Sequence, residues 1–96
     1  MEREIVIVQS THTKFLVEIA GKNKEKAEKI RRSIMEYLVT TIREVARFGE
    51  LQSKTDGYCF EILFRNKRPG LKKAIEIGAN PTLKEIASKR GKRGEG

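Results

Sequence analysis

Apolar residues between Asn23 and Phe48 recur at steps of three and four, the spacing of one face of an α-helix. Asn23 can cap the start, because its side chain accepts a hydrogen bond from a free backbone N–H. Gly49 can end the helix, because glycine adopts the left-handed conformation at little cost. The pattern therefore predicts one helix of about seven turns, on which the other apolar segments pack. Its apolar stripe consists of Ala27, Ile30, Ile34, Leu38, Ile42 and Val45.

Two apolar stretches before this helix predict a β-hairpin. Residues 5–8 form an unbroken β-branched run, which favours a central strand or one covered on both faces. Residues 9–13 are polar and turn-like, and residues 14–20 alternate between apolar and polar. The face expected to pack on the helix contains Phe15, Val17 and Ile19.

The clearest strand pattern runs from Tyr58 to Arg65. A strong turn signal, Asp56-Gly57, precedes it, and residues 51–54 can form a short edge strand that enters this turn. We expect the aromatic-rich face of the longer strand to pack on the long helix. That face consists of Tyr58, Phe60, Ile62 and Phe64.

The pattern at residues 71–77 fits two structures, a short helix and a strand that returns beside residues 58–65, and the helix is favoured. Asn80-Pro81 interrupts the chain, residues 82–90 predict a terminal helix, and residues 91–96 predict a flexible basic tail. The expected fold is a single α+β domain over residues 1–90. It combines an antiparallel sheet (a β-hairpin, then the long helix, then a further strand or hairpin) with one or two short C-terminal helices.

The charge of this 96-residue chain is +8 and unevenly distributed. Residues 1–21 carry a net −1, residues 22–50 a net +3 and residues 51–96 a net +6. A polyanion is the natural partner of such a surface, and we expect DNA or RNA. The alternative is a surface charge that only maintains solubility. Charged residues make up 35 % of the chain, which is also compatible with a thermophilic source.

Two basic clusters lie in the C-terminal half. The first surrounds Pro69-Gly70, and if Leu71 begins a helix, the free N–H groups of that helix face the same place as the cations. The alternative interpretation of this cluster is a solvated turn. The second cluster lies at the C-terminus and would assist by contacting phosphates without reading sequence. The predicted nucleic-acid-binding residues are Arg65, Lys67, Arg68, Lys72 and Lys73 in the first cluster, and Lys89, Arg90, Lys92 and Arg93 in the second.

Basic residues also cluster at the start of the long helix, where they oppose the helix dipole, and this suggests a functional role for the charge.

The small and apolar positions of residues 71–90 loosely resemble the helix-turn-helix of DNA-binding proteins. The apolar positions of the second helix do not coincide with those of the motif, and no compact three-helix core surrounds it. The sequence therefore identifies no family.

Signatures of catalysis and metal binding are missing from the sequence. His12 is the only histidine and Cys59 the only cysteine, so neither an intramolecular disulfide nor a zinc site is expected. No phosphate-binding loop, dinucleotide fingerprint, signal peptide or membrane-spanning run is recognisable. We expect a non-catalytic cytoplasmic protein without cofactors that contacts mainly the phosphate backbone. The alternative is a structural or adaptor protein, with a homodimer formed through a sheet edge at residues 4–9 or 50–54.

Overall fold

The computed structural model describes residues 4–80, which form a five-stranded antiparallel sheet packed against two helices. The predicted α+β class is therefore confirmed. The predicted terminal helix at 82–90 and the basic tail at 91–96 lie outside the described residues. The strands are β1 (Ile5–Gln9), β2 (Lys14–Ala20), β3 (Ala46–Phe48), β4 (Gln52–Lys54) and β5 (Gly57–Phe64), and the helices are α1 (Lys24–Tyr37), which continues into a π-helical segment (Leu38–Ile42), and α2 (Leu71–Ala79).

The sheet has the order β1-β2-β5, and both β3 and β4 lie on the far side of β5. The central pair is β2 with β5, in a register that sets Val17 opposite Phe60. β3 pairs with the end of β5 and β4 with its start, while the Gly49 N–H donates to the Glu61 carbonyl oxygen at 2.8 Å between them. Together β3 and β4 therefore act as one interrupted edge strand.

The prediction that residues 5–8 form a central or doubly covered strand is wrong. Within residues 4–80, β1 pairs only with β2, at the edge of the sheet. Ile7 packs into the core, but Val6 and Val8 on the opposite face are 38 % and 43 % exposed. β-branched residues fit any strand because they suit the pleated backbone, so a continuous run does not by itself fix how many faces are covered.

The long helix ends earlier than predicted. Asn23 caps its start, with Oδ1 accepting from the Lys26 N–H at 3.0 Å, as the sequence indicated. The regular α-helix stops at Tyr37, because four consecutive β-branched residues, Val39-Thr40-Thr41-Ile42, have low helix propensity. Thr40 also turns its hydroxyl back to the Glu36 carbonyl oxygen at 2.7 Å.

The helix terminates at Arg43 and not at Gly49. Arg43 adopts the left-handed conformation with φ 58°, which costs a non-glycine residue about 1 kcal/mol. Its N–H and that of Glu44 both donate to the Leu38 carbonyl oxygen, so the wide last turn is closed by hydrogen bonds. Val45 consequently leaves the apolar stripe and is 59 % exposed. The chain then enters β3, where the sequence predicted more helix.

The hydrophobic core lies between the helices and one face of the sheet, as predicted. Ile34, Leu38 and Phe60 are all at most 1 % exposed. Each such side chain contributes about 1.5–3 kcal/mol by burial. The favoured helix at residues 71–77 is also confirmed. In α2, Leu71 and Ile75 are buried and Lys73 is exposed, whereas a strand would have placed all three on the same face. Other members of the core are Phe15, Val17, Ile19, Ile62, Phe64 and Ala74.

The predicted hairpin turn forms between β4 and β5, with Thr55 and Asp56 as its central residues and Gly57 as the first residue of β5. Gly57 does not have a positive φ. A Cβ atom at this position would lie 2.1 Å from the Ile19 carbonyl oxygen. Glycine is therefore required here by the close approach of β2 and β5, and not by the turn conformation.

Candidate nucleic-acid interface

The end of β5 leads directly into the first predicted cluster, because the chain turns away from the sheet after Phe64. The Arg65 N–H donates to the Val45 carbonyl oxygen at 2.9 Å, which ties the start of the loop to the chain before β3. At the other end of the loop, Gly70 adopts φ 81° and precedes α2. Leu71 is 4 % exposed and anchors the first turn of α2 in the core. The loop is therefore held at both ends by buried structure.

The middle of the loop is fixed by an ion pair that the sequence did not predict. Arg68 donates through Nη1 to the Glu44 carboxylate. The Glu44 side chain is only 6 % exposed, whereas that of Arg68 is 58 % exposed. The left-handed turn at Arg43 directs the chain so that Glu44 points inward. Glu44 is thus buried beside the loop and lies outside the helix, which has already ended at Arg43.

Three of the five predicted residues of this cluster converge on one cleft. Lys67, Arg68 and Lys72 line a cleft of about 380 Å³, together with Pro69 and Gly70 at the start of α2. Arg65 and Lys73 are exposed but do not line this cleft. Lys73 lies 4.0 Å from Glu76 on the next turn of α2. The residues of the second predicted cluster, 89–93, lie outside the described part of the chain.

The cleft is also lined by Gln9, the last residue of β1, and by His12 from the β1–β2 loop, neither of which was among the predicted binding residues. This loop is ordered by Thr11, whose hydroxyl accepts from the Lys14 N–H at 3.0 Å. The Phe64 N–H donates to the Thr13 carbonyl oxygen at 2.8 Å, which joins the β1–β2 loop to the end of β5. Only the pairing of β2 with β5 brings the two loops together, and the order of strands in a sheet is not encoded by their individual patterns.

The charges in the cleft are mostly unneutralised. Within residues 4–80, Lys67 and Lys72 in the cleft and Arg65 outside it form no ion pair, while Arg68 is paired with Glu44. No side chain caps the start of α2, so its first N–H groups lack the partner that a Ser or Asp would supply. Free N–H groups at a helix N-terminus and ammonium groups both favour an anion. The arrangement can therefore hold a phosphate group.

The basic residues at the start of α1 are arranged differently. Lys26 pairs with Glu4, and Lys29 lies 3.7 Å from Glu25. The Arg31 Nε atom donates to the Gly49 carbonyl oxygen at 3.0 Å, and its guanidinium lies 5.9 Å from the centre of the Phe60 ring. Lys26, Lys29 and Arg31 thus already have partners within the fold, and the hint of a separate function drawn from the sequence is not needed to explain these three residues.

Within residues 4–80, no three His, Cys, Asp or Glu side chains come close enough together to hold a metal ion. In the same part of the chain, neither helix has the length and hydropathy required to cross a bilayer. Cys59 is a buried free cysteine in β5.

No protein family model, curated protein or solved structure shows significant similarity to this chain. Any functional assignment consequently has to come from the geometry and charge of the chain itself.

Proposed function

We propose that this protein is a non-catalytic nucleic-acid-binding protein that contacts the phosphate backbone of DNA or RNA through the β5–α2 loop. The observation that carries the proposal is the convergence of Lys67 and Lys72 on the uncapped start of α2, without an acidic partner among residues 4–80. Arg65 and Lys73 would extend the contact on either side of the cleft. The C-terminal basic residues, 89–93, would add contacts that do not depend on sequence.

Preorganisation supports this site over a purely solvated turn. The loop is anchored at Arg65, at Arg68 and at Leu71, so its cations are held near one another before any ligand arrives. A mobile segment has to lose conformational entropy when it binds, and an ordered loop loses less. The exposure of Lys67 and Lys72 leaves both ammonium groups available to phosphate oxygens.

The test compares two double variants that each remove two cations. Lys67→Ala with Lys72→Ala removes the free charges of the cleft, whereas Lys24→Ala with Lys29→Ala removes two exposed charges from α1. Binding to fluorescent duplex DNA and duplex RNA would be measured by anisotropy at several salt concentrations. If the intact protein neutralises about four or five phosphates, log K should fall with log salt at a slope near −4 on DNA.

We expect the cleft variant to lower the steepness of this slope by about 2, and the α1 variant to leave it nearly unchanged. Circular dichroism would establish that both variants are folded. Equal losses in the two variants would contradict the assignment of the site to the loop. Binding that does not respond to salt would contradict the phosphate mechanism as a whole.

A second candidate function, homodimerisation, is favoured by the exposed edge of the sheet. Within residues 4–80, β1 has a neighbour on one side only, and Val6 and Val8 are exposed on it. A second copy could pair with this edge in antiparallel fashion. Light scattering after size-exclusion chromatography would test this proposal, because Val6→Lys should convert a dimer to a monomer. A monomeric mass for the unaltered protein at high concentration would exclude it.

A further inference from the structure

The positions of the aromatic residues bear on which form of nucleic acid this site would accept. The chain has four phenylalanines, two tyrosines and no tryptophan, and all six aromatic residues lie within residues 4–80. Four of them are at most 5 % exposed: Phe15, Tyr37, Phe60 and Phe64. Phe48 and Tyr58 are half-buried and pack against the same core.

The two half-buried rings already have partners. The Tyr58 ring carries the Lys22 ammonium at 4.9 Å from its centre. The Phe48 ring stacks on Phe60 with 6.4 Å between centroids and 25° between planes. Tyr58 also lies near the start of β5, seven residues before Arg65, which corresponds to about 24 Å along an extended strand. At the cationic end of the sheet, Phe15 lines the cleft but is only 1 % exposed, and within residues 4–80 the exposed ring there is the imidazole of His12.

The outer face of the sheet, which the helices do not cover, also carries no Phe or Tyr ring within residues 4–80. Lys14, Leu63 and Arg47 lie side by side on β2, β5 and β3, on the face opposite the core. Leu63 is 41 % exposed and Arg47 is exposed. On β1, the exposed apolar residues of this face are Val6 and Val8. The face also carries two glutamates, Glu61 paired with Lys14 and Glu18 paired with Lys54, and within the described chain it presents no Phe or Tyr ring on which a base could stack.

We infer that the preferred ligand is a duplex and not a single strand. This inference rests on the proposed function. Proteins that bind single strands gain much of their affinity by stacking unpaired bases on several exposed aromatic rings, and within residues 4–80 this protein exposes no Phe or Tyr ring and only the single imidazole of His12. A duplex keeps its bases paired and presents phosphates at high density, so each neutralised phosphate releases more counterion than in a single strand. The anchored loop and the start of α2 hold the backbone positions of Lys67 and Lys72, which suits the regular phosphate spacing of a duplex.

The experiment measures binding of the full chain to a labelled 20-base-pair DNA duplex, to a duplex RNA of the same length and to oligo-dT of equal charge. Anisotropy would be recorded at low and at moderate salt. We expect at least one of the duplexes to bind about tenfold more tightly than oligo-dT at each salt concentration. Oligo-dT that binds as tightly as both duplexes, or more tightly, would overturn this inference and leave the proposed function standing. The absence of binding to all three at low salt would overturn the proposed function itself.

A variant of the one tyrosine near the surface completes the test. Tyr58→Leu removes the half-buried ring beside Lys22 and leaves the cleft unchanged. We expect its affinity for oligo-dT to stay within about twofold of the unaltered protein, because that ring does not contact bases. A tenfold loss confined to oligo-dT, in a variant that circular dichroism shows to be folded, would reveal a stacking site and overturn the inference.

Discussion

The two ends of β5 carry two and five basic residues, and they use them in different ways. At its start, which we call the turn end (residues 18–22 and 52–58), Lys54 Nζ lies 2.5 Å from a Glu18 carboxylate oxygen, and Lys22 donates to the Ser53 hydroxyl at 2.8 Å. At its other end, the loop end (residues 65–73), Lys67 and Lys72 have no acidic partner within the described chain. Within the described chain, the loop end therefore differs from the turn end both in the number of its basic residues and in leaving Lys67 and Lys72 without an acidic partner.

The two ends also differ in what holds the backbone in place. At the turn end, the close approach of β2 and β5 leaves no room for a side chain on Gly57. At the loop end, a Cβ atom on Gly70 would meet nothing within 4 Å, and only the positive φ of 81° favours glycine. The turn end is thus fixed by close packing of the backbone, and the loop end by the Arg65–Val45 hydrogen bond, the Arg68–Glu44 ion pair and the burial of Leu71.

The largest effect that we predict separates these two glycines. Gly57→Ala places its methyl group against the Ile19 carbonyl oxygen, so the central strand pair has to separate, at a cost of about 3 kcal/mol or more in the free energy of unfolding. Gly70→Ala should cost only about 1 kcal/mol, because the alanine has to adopt the left-handed backbone conformation but its methyl group meets no other atom. Urea unfolding of both variants would measure the difference. Equal costs would show that the two ends are constrained in the same way.

The second prediction concerns the ion pair that fixes the loop. Arg68→Ala leaves the Glu44 carboxylate buried without its partner, so we expect a loss of roughly 2 kcal/mol, below that of a fully buried pair because water reaches the guanidinium. Glu44→Gln should cost less, because it leaves only an exposed arginine. The measurement is a double-mutant cycle by thermal unfolding.

The double variant Glu44→Gln with Arg68→Ala provides the control for this cycle. It removes both charges, so it should be more stable than Arg68→Ala alone. Strict additivity of the two single variants would show that Arg68 and Glu44 do not interact, and that the loop is held by other contacts.

The smallest predicted effect lies at the turn end and depends on pH. The hydrogen bond to Glu18 raises the pKa of Lys54 above its ordinary value of 10.5. A group whose pKa is raised by folding stabilises the fold while it is protonated, so this contribution is complete below pH 10.5 and is lost as the pH rises through the folded pKa. The difference in Tm between the unaltered protein and Lys54→Met should be constant from about pH 7 to 9 and should shrink above 10.5. A difference that already falls near pH 8 would contradict this origin.

Several elements of the fold were predictable because their signals are local. Asn23 caps α1 through its own side chain, and the alternation at residues 14–20 and 58–65 reports which face is buried. The end of α1 was predicted incorrectly at Gly49, because the apolar spacing continues through Val45 after the helix has ended. The β-branched run at residues 39–42 was the signal that could have corrected it.

What the sequence by itself determined is the class of fold, the position of the hairpins, the buried face of the strands and the basic character of the segment from Arg65 to Lys73. Each of these depends on neighbouring residues, through periodicity, capping or turn conformation. The tertiary structure alone decided that β2 lies beside β5, that Gln9 and His12 join the cleft, and that Glu44 is buried against Arg68. The ion pair joins residues that are 24 positions apart in the sequence, and the cleft joins residues that are still further apart. These contacts depend on how complete elements pack together, which no local pattern records.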